Sequence, residues 1–471
     1  MSRPALDEAR LVRRLSARLS ADTVLGTLAE AARRTRAELC LVGGYVRDAA
    51  LGLPPGDLDL VGGRRVRALL GEIRERFDTA GFRFRRRGVT TWRFCLDGRP
   101  VDLVDASRRG IEHDLFRREL TANAVAFDLV DRRLVDPARG LDDLGRRLLR
   151  GPRSDAFADD PVRSLRLCRF VACMPGFSVS PRTTAEARRV ALSLRRSPAE
   201  RLRPELDKLL AGADPARGLQ MMRGLGLLAV VLPELSPLER CVAGRGRPDV
   251  WAHTLATLSV AAGPRRLPGL ARVRQPEQRA VLRWSLLLHD VAKPETLAFT
   301  TDGRPTFHGH EELGRRRGAA LMRRLRVPET RRRRVERLVL NHLRPGHLAD
   351  GGASPRALAR LARAMGDDLP LLVAHAACDA RASGGPGQPA RWRRLAAVLT
   401  ALLGAYDRRP AEPTTALVDG RDVMRVAGIA PGPRVGRLLE RVRRRQRAGL
   451  LRTRDQALAF LRRATRPGRR R

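Results

Sequence analysis

Lysine and aromatic residues are scarce in this chain, and the scarcity limits what its charge can mean. Only Lys208 and Lys293 are lysines among 93 basic residues, so the formal net charge of +42 comes almost wholly from arginine. Aromatic residues make up 4% of the chain and hydrophobic residues 43%, which is enough to bury cores. A charge of this size favours a polyanionic partner, above all nucleic acid. The arginine bias is also typical of GC-rich coding, so we expect some arginines simply to solvate helix faces.

Cysteines are few and scattered, and long apolar runs are lacking. The six cysteines, at positions 40, 95, 168, 173, 241 and 378, form no C-x-x-C pair, which favours reduced thiols in a cytoplasmic protein over a disulfide framework or a zinc ribbon. No stretch approaches the uninterrupted apolar length of a membrane span, so we expect no signal peptide and no membrane segment. With 471 residues, the chain is too long for one core, and several domains are expected.

One stretch carries the strongest signal for chemistry, LVGGYVRDAALGLPPGDLDLV at 41–61. Gly43 and Gly44 follow an apolar lead-in and let the backbone turn sharply and lie close to a phosphate. Asp57 and Asp59 lie two residues apart in a predicted strand, which puts both carboxylates on one face, roughly 7 Å apart. Like charges at this distance need a cation between them, and hard oxygen ligands suit Mg²⁺ bound together with substrate phosphates.

In the order strand, GG turn, helix and DLD strand, these residues resemble the head of class II tRNA nucleotidyltransferases and bacterial poly(A) polymerases. The resemblance implies an α+β fold, with a small mixed-sheet nucleotidyltransferase head followed by a mostly α-helical neck, an HD domain and a tail. We therefore predict a head over 1–150, a neck over 151–240, an HD phosphohydrolase domain over 241–385 and an arginine-rich, tRNA-contacting segment over 386–471. By the same resemblance, Arg47 in GGYVRD helps Gly43 and Gly44 hold the triphosphate.

The next strands are predicted around Asp97-Gly98, a strong signal for a two-residue hairpin turn. The resemblance gives this second strand a third metal-binding carboxylate, for which Asp102 is the better match. Asp105 would face the other way on a regular strand, so only one of the two can join the site.

The segment DLFRRELTANAVAFDL, at 114–129, resembles the family motif that holds the incoming nucleotide. The resemblance implies that Arg118 and Asn123 bind the triphosphate and that Glu119, in place of the usual aspartate, contacts the ribose. Glutamate keeps the charge and adds a methylene group. A helix start with a neighbouring charge pair is the alternative interpretation.

The segment DDPVRSLRLCRF, at 159–170, resembles the family motif that selects the nucleobase, with Asp159 where glutamate is usual. The resemblance implies that Asp160 and Arg163 form hydrogen bonds with the base edge. An aspartate accepts from an exocyclic amine and an arginine donates to ring acceptors, so cytosine and adenine both fit. Arg166 and Arg169 continue the row and are either further nucleotide contacts or a solvated helix face.

Histidines concentrate in one region, because seven of the eight lie between 253 and 375. The pattern around them resembles an HD metal-dependent phosphohydrolase domain. The resemblance implies that His253, His289, Asp290 and Asp379 bind a divalent metal of unknown identity, with His310 and His342 as candidates for a second one. Imidazoles and carboxylates together suit a metal that activates water for attack on phosphate. His308, His347 and His375 have no motif position and are predicted to be surface or core residues, whereas Lys293 is a candidate phosphate contact.

Beyond this region, SGGPGQPA at 383–390 is predicted to be a flexible linker and RRATRPGRRR at 462–471 a disordered basic end. Between them, glycines around Pro431 and Pro433 predict a turn before a helix, a fair site for an anion.

Together these motifs predict a nucleotidyltransferase that adds C and A to tRNA 3′ ends from CTP and ATP, with Mg²⁺ on Asp57, Asp59 and Asp102. A poly(A) polymerase, or a partial enzyme that adds only CC or only A, shares the motifs and stays open. A phosphohydrolase with a degenerate RNA-binding head is the alternative of another class, and the intact acidic motifs argue against it. The sequence leaves the oligomeric state open.

Overall fold

The computed structural model of the chain describes residues 6–54, 56–86, 88–242, 249–264, 266–383, 388–408, 416–447, 450–451 and 453–465. The chain divides into two compact units, 1–403 and 404–471. Within the described ranges, no helix is long and apolar enough to cross a membrane. Residues 243–248 at the start of the predicted HD domain, residues 384–387 of the predicted linker and residues 466–471 of the predicted basic end lie outside the described residues.

The first part of the chain alternates helices with strands, and all of these strands except the last belong to one sheet. Its elements are α1 (Glu8–Ala21), α2 (Thr23–Thr35), β1 (Leu39–Val42), α3 (Gly44–Ala50), β2 (Leu58–Gly62), α4 (Val66–Arg76), β3 (Phe82–Arg86), β4 (Val89–Leu96), β5 (Arg99–Asp105), α5 (Ile111–Phe116), a 3-10 turn (Thr121–Asn123), β6 (Ala126–Asp128), β7 (Leu134–Val135), α6 (Gly140–Gly145) and β8 (Leu148–Leu149).

The sheet has seven strands in the order β3-β4-β5-β2-β1-β6-β7. Only β2 and β5 pair in parallel, and the other neighbours are antiparallel, so the sheet is mixed. The predicted turn between β4 and β5 is confirmed. Asp97 and Gly98 both adopt positive φ, +48° and +76°, as a two-residue turn with right-handed strand twist requires.

The two faces of the sheet are covered differently. One face buries Cys40, Val42 and Val61 against α5 and the 3-10 turn. The other face carries helices such as α4, whose Leu69 and Ile73 are buried. Since paired residues share a face, Val42, Asp59 and Asp102 all lie on the first face.

The rest of the chain is mostly helical. It contains α7 (Val162–Cys173), β9 (Ser178–Val179), α8 (Pro181–Arg189), α9 (Ala199–Ala211), α10 (Pro215–Gly224), α11 (Leu227–Val231), α12 (Val250–Ala262), α13 (Pro276–Leu288), α14 (Lys293–Thr296), β10 (Ala298–Phe299), β11 (Pro305–Thr306), α15 (His310–Arg324), α16 (Glu329–Asn341), α17 (Arg344–Gly351), α18 (Pro355–Met365), α19 (Leu369–Ala382) and α20 (Gln388–Asp407).

The second compact unit contains α21 (Gly420–Ala427), α22 (Pro433–Arg447) and α23 (Arg454–Thr465). They share a small core that includes Val423, Leu438, Val442 and Leu461. Gly428 ends α21 in the left-handed conformation, so the predicted turn before a helix is confirmed.

The predicted α+β class, with a mixed-sheet head before a mostly helical remainder, is confirmed by this architecture. Strand β3 was not anticipated, although FRFRR alternates apolar and basic side chains and follows Gly81, both of which are strand signals. The predicted domain borders at 150, 240 and 385 stay predictions.

Candidate functional site

The structure brings the predicted head carboxylates together on one face of the sheet. Asp59 of β2 and Asp102 of β5 are direct partners across the parallel pair, and Asp57 lies just before β2, exposed to solvent. Burial raises the pKa of Asp59. Arg118 opposes this rise, and the neighbouring Asp102 and Asp57 add to it. Asp59 therefore lies in a pocket of negative charge that a cation would relieve.

Gly43 provides the space next to these carboxylates. It adopts φ +73°, and a Cβ atom there would lie 3.0 Å from Nη1 of Arg118 and 3.2 Å from Oδ2 of Asp59. Only glycine fits both this backbone conformation and this close approach. The turn at Gly43 and Gly44 thus leaves room beside the carboxylates, with one arginine already facing it.

Carboxylate oxygens are the donors that Mg²⁺ prefers, so Asp57, Asp59 and Asp102 fit this ion chemically. Asp102 also has a protein partner, because Nε and Nη2 of Arg93 each donate to one of its oxygens at 2.7 Å. A cation at Asp102 would have to share it with Arg93, whose side chain is 58% exposed.

Two of the predicted triphosphate contacts, Arg47 and Asn123, are linked to each other and to Glu119 by hydrogen bonds. Nη1 of Arg47 donates to Oδ1 of Asn123 at 2.8 Å, and Nδ2 of Asn123 donates to Oε1 of Glu119 at 3.0 Å. Arg47 also donates twice to Asp48, and Arg118 pairs with Asp114 at 3.0 Å. These partners fix the arginines beside the glycine turn.

Glu119 is held ionised by the arginines around it. Burial raises its pKa, but Arg166, Arg163 and Arg118 outweigh burial and hold the pKa at about 2. Arg166 lies 3.5 Å from Glu119 and 3.0 Å from Glu205, and Arg169 lies 3.1 Å from Glu205. Arg166 and Arg169 are therefore partly buried ion-pair partners of Glu205 on α9 and do not form a solvated face.

Asp160 and Arg163 lie side by side at the start of α7, but each already has partners. Asp160 pairs with Arg201, and Arg163 donates to the backbone carbonyls of Ala156 and Arg117. Contact with a base edge would require exchange of some of these bonds.

Sequence reasoning missed Arg201 and Glu205, which complete this part of the site. A signal was present: the two residues are four apart on α9, and Leu202, Leu206 and Leu209 mark the buried side of that helix. An arginine and a glutamate four residues apart and next to these buried leucines are expected to be partly buried and to need charged partners. Arg93 and Asp114 were missed too, although both partners are near in sequence: Arg93 lies opposite Asp102 in the predicted hairpin, and Asp114 lies four residues before Arg118.

The predicted histidines converge in a second site. Nε2 of His253 lies 3.0 Å from Asp379, and Nε2 of His310 lies 3.3 Å from Nε2 of His342. Within the described residues, possible metal ligands form two groups, His253, His289 and Asp379 in one and Asp290, His310 and His342 in the other.

Three of these imidazoles are oriented in the same way. Nδ1 of His289, His310 and His342 each bonds the carbonyl three residues earlier, at 2.7–2.8 Å. This leaves Nε2 of each ring facing the cluster. A backbone carbonyl on one ring nitrogen is the usual way to fix the tautomer of a metal-binding histidine.

Asp290 lies between the two groups. Its Oδ2 is 3.1 Å from His289 and 2.7 Å from Nζ of Lys293, and its Oδ1 is 3.5 Å from His310. Nε2 of His289 and Oδ1 of Asp290 are buried, and neither has a hydrogen-bond partner among the described residues. Buried polar atoms without partners are costly, so the donor set fits a bound divalent metal.

The remaining histidines divide as predicted. His308 and His347 are exposed. His375 is a core residue, with Nδ1 2.9 Å from Oγ of Ser285 and its ring 5.4 Å from that of His289. Burial and the neighbouring His289 lower the pKa of His342 to about 4, so this imidazole is neutral near pH 7, as a metal ligand must be.

Three protein families match separate parts of the chain. Residues 39–150 match the poly A polymerase head domain, 176–238 the probable RNA and SrmB-binding site of polymerase A, and 250–380 the HD domain. These ranges contain the carboxylate cluster, part of the helical region and the histidine cluster.

Curated relatives match nearly the whole chain. The A-adding tRNA nucleotidyltransferase of Deinococcus radiodurans is 35% identical over 438 residues, 90% of this chain and 94% of that protein. The CC-adding tRNA nucleotidyltransferase of Thermus thermophilus is 33% identical, covering 89% and 92%. A multifunctional CCA protein of Tolumonas auensis is 33% identical over 62% of this chain and 71% of its own.

Solved structures share the fold. The Thermotoga maritima CCA-adding enzyme complexed with tRNA has a TM-score of 0.58 at 18% identity, with 98% of both chains covered. The Bacillus stearothermophilus CCA-adding enzyme in complex with CTP has a TM-score of 0.53 at 21% identity, covering 93% of this chain and 96% of its own.

Proposed function

This chain belongs to the tRNA nucleotidyltransferase family, and on that premise we propose that it adds C and A to the 3′ ends of tRNA from CTP and ATP. The observation that carries the proposal is the glycine turn beside paired carboxylates, Gly43 against Asp59 and its partner Asp102. It offers room for a triphosphate, donors for its charge and carboxylates for a cation in one place. A tRNA is a polyanion, which also suits a chain of net charge +42.

In this proposal each residue has a role set by its chemistry. Arg118 and the Arg47–Asn123 pair donate to the triphosphate, and Glu119 accepts from the ribose. Asp160 and Arg163 read the Watson–Crick edge of the base after exchanging their present partners. Asp57, Asp59 and Asp102 would hold Mg²⁺, which supplies charge neutralisation at the reacting phosphate and a more acidic ribose hydroxyl.

A partial activity is the second candidate. The two relatives that match about nine-tenths of the chain are named A-adding and CC-adding enzymes. A chain that adds only A or only CC would use the same head residues. A poly(A) polymerase shares them too and differs in the length of its product.

One experiment separates these candidates. Purified protein is incubated with a tRNA that lacks CCA, one that lacks only A and one that is complete, with each labelled nucleotide in turn, and the products are sequenced. Full CCA on the first tRNA is expected. Addition of CC only, of A only to the second tRNA, or of A tracts would identify the alternatives, and Asp59→Ala is the inactive control.

We also propose that the histidine cluster is a metal-dependent phosphohydrolase. His253, His289, Asp379, Asp290, His310 and His342 would hold the metal, which supplies an acidified water. Lys293, beside Asp290, is placed to contact a phosphate. If wild-type protein hydrolyses phosphoesters but adds no nucleotide to any tRNA, the head is degenerate and the main proposal is wrong. A binding-only RNA protein would leave both acidic clusters without a role. The scattered thiols and a tRNA substrate support a cytoplasmic location.

A further inference from the structure

A cleft of about 660 Å³ opens on the head away from the carboxylate cluster. Arginines from α4, from β3 and from the loop after β5 line it: Arg67, Arg74, Arg83, Arg85, Arg108 and Arg109. By strand register, Arg83 pairs with Trp92 and Trp92 with Leu103, so these side chains lie on the sheet face opposite Asp102.

The cleft arginines differ from most others in the head. Within the described part of the chain, none of the six has a carboxylate partner. Arg74 donates to the carbonyl of Ala80 and lies 4.5 Å above the ring of Trp92, and Arg109 contacts His113. The two acids in the lining are already engaged, because Asp105 accepts from Ser107 and Asp114 pairs with Arg118.

Elsewhere in the head, several exposed arginines are neutralised by a neighbouring acid. Arg33 pairs with Glu30, Arg64 with Glu38 and Arg139 with Asp142. Codon bias alone would scatter arginines without regard to neighbouring acids. Six uncompensated guanidinium groups around one concave surface instead form a concentrated positive field, which is costly unless an anion shares it.

The shape of the cleft favours an extended anion over a single nucleotide. Its glycines, Gly88 and Gly110, face open space, since a Cβ at either would meet nothing within 4 Å. At Gly43, by contrast, an added Cβ would lie 3.0 Å from Arg118 and 3.2 Å from Asp59. The cleft cations also come from three separate elements, as expected for a surface that follows a phosphate backbone.

We infer that this cleft is an RNA-binding surface, which contacts successive backbone phosphates of the tRNA through Arg67, Arg85 and Arg108. The ring of Trp92 lies 4.5 Å from the guanidinium group of Arg74 and 5.9 Å from that of Arg83, so it helps to hold both arginines in the lining of the cleft. The inference takes the identity of the RNA from the proposed function. The surface itself lies outside the nucleotide-addition site and has no part in the chemistry.

The test compares two triple variants of the full chain with the same change in charge. Arg67→Gln/Arg85→Gln/Arg108→Gln removes three cleft cations, and Arg33→Gln/Arg64→Gln/Arg139→Gln removes three paired ones. Equilibrium binding of a tRNA transcript lacking CCA is measured by fluorescence anisotropy over a series of salt concentrations. Thermal unfolding of both variants checks the fold, and binding of ATP and CTP alone is measured in parallel.

The cleft triple is expected to bind tRNA about tenfold or more weakly and to lower the salt slope by about 2 to 3. The control triple should change affinity less than about twofold, and ATP and CTP binding should be unchanged in both. Single variants Arg85→Gln and Arg108→Gln should each lower the slope by about 1, so the result does not depend on one variant folding.

Equal losses in both triples would mean that only overall charge matters, and no loss in the cleft triple would mean that RNA does not touch the cleft. Either result overturns the inference, as does a loss of ATP or CTP binding with unchanged tRNA binding, which would indicate a nucleotide site. Failure of the proposed function gives a different result from failure of this inference. In the first case, wild-type protein adds no nucleotide to any tRNA, whether or not the cleft variants bind tRNA.

Discussion

Asp59 and Asp102 face each other across the only parallel strand pair of the described sheet, and a glycine turn lies against Asp59. Residues from two strands, 43 positions apart, thus form one carboxylate pair. Because Nε and Nη2 of Arg93 donate to Asp102, the negative charge of the carboxylate pair is already partly neutralised by the protein. Strand β5 carries two carboxylates, Asp102 on the face of the site and Asp105 on the opposite face. Substituting each in turn therefore tests the site directly.

Asp102→Asn should reduce nucleotide addition by more than about a hundredfold, because it removes a charged ligand from the proposed cation site. Asp105→Asn should stay within a few fold, because Asp105 lies on the opposite face and bonds Ser107. Steady-state incorporation of labelled CTP and ATP is measured for both variants. Equal losses in the two would remove the assignment of Asp102.

Gly43→Ala should lose at least about tenfold in nucleotide addition, since its Cβ would press on Arg118 and Asp59. Gly98→Ala is the matched control, with a nearly equal φ of +76° but open space around the added atom. Gly98→Ala should lose about 1 kcal/mol of stability from backbone strain, and Gly43→Ala should lose more, because Gly43 also has ψ −135°, a conformation almost confined to glycine. Urea unfolding and incorporation assays separate strain from loss of the site. A Gly43→Ala variant as active as Gly98→Ala would contradict the proposed cradle.

His289→Ala with Asp290→Ala should abolish metal-dependent hydrolysis of 2′,3′-cyclic phosphates or other phosphoesters. It should also lower the bound metal, because it removes two donors from the histidine cluster. CTP and ATP addition should stay within a few fold, as the head residues are untouched. The exposed pair His308→Ala with His347→Ala is the control and should retain both activities. Loss of nucleotide addition in the first variant alone would show that the histidine cluster also supports tRNA positioning.

Glu119→Gln should destabilise the protein near neutral pH by up to about 3 kcal/mol, from the difference between its pKa of about 2 and the ordinary value of 4.5. A depressed carboxyl pKa contributes stability that is full above the unfolded pKa and is lost as pH falls toward the folded one. The advantage of wild type over the variant should therefore be constant above about pH 5 and shrink between about pH 4.5 and 2. Urea unfolding across this range measures it. A difference that does not change with pH would mean that charge on Glu119 is not what stabilises the fold.

The sequence alone predicted those features that depend on neighbouring residues. The turn at Asp97-Gly98 and the GG turn before a helix both follow from local turn chemistry and backbone freedom. The alternation of a strand also separated Asp102 from Asp105. The clustering of histidines pointed to a second metal centre before any distance was known.

Only the tertiary structure decided which charged groups are partners, because these contacts join residues far apart in the chain. It places Arg201 on Asp160 and Glu205 between Arg166 and Arg169. A row of arginines on a helix has the same spacing whether it faces solvent or a buried acid. Packing of α9 against α7 determines which of these occurs. In the part of the chain that the structure describes, the folding of three separate elements leaves the six cleft arginines without a carboxylate partner.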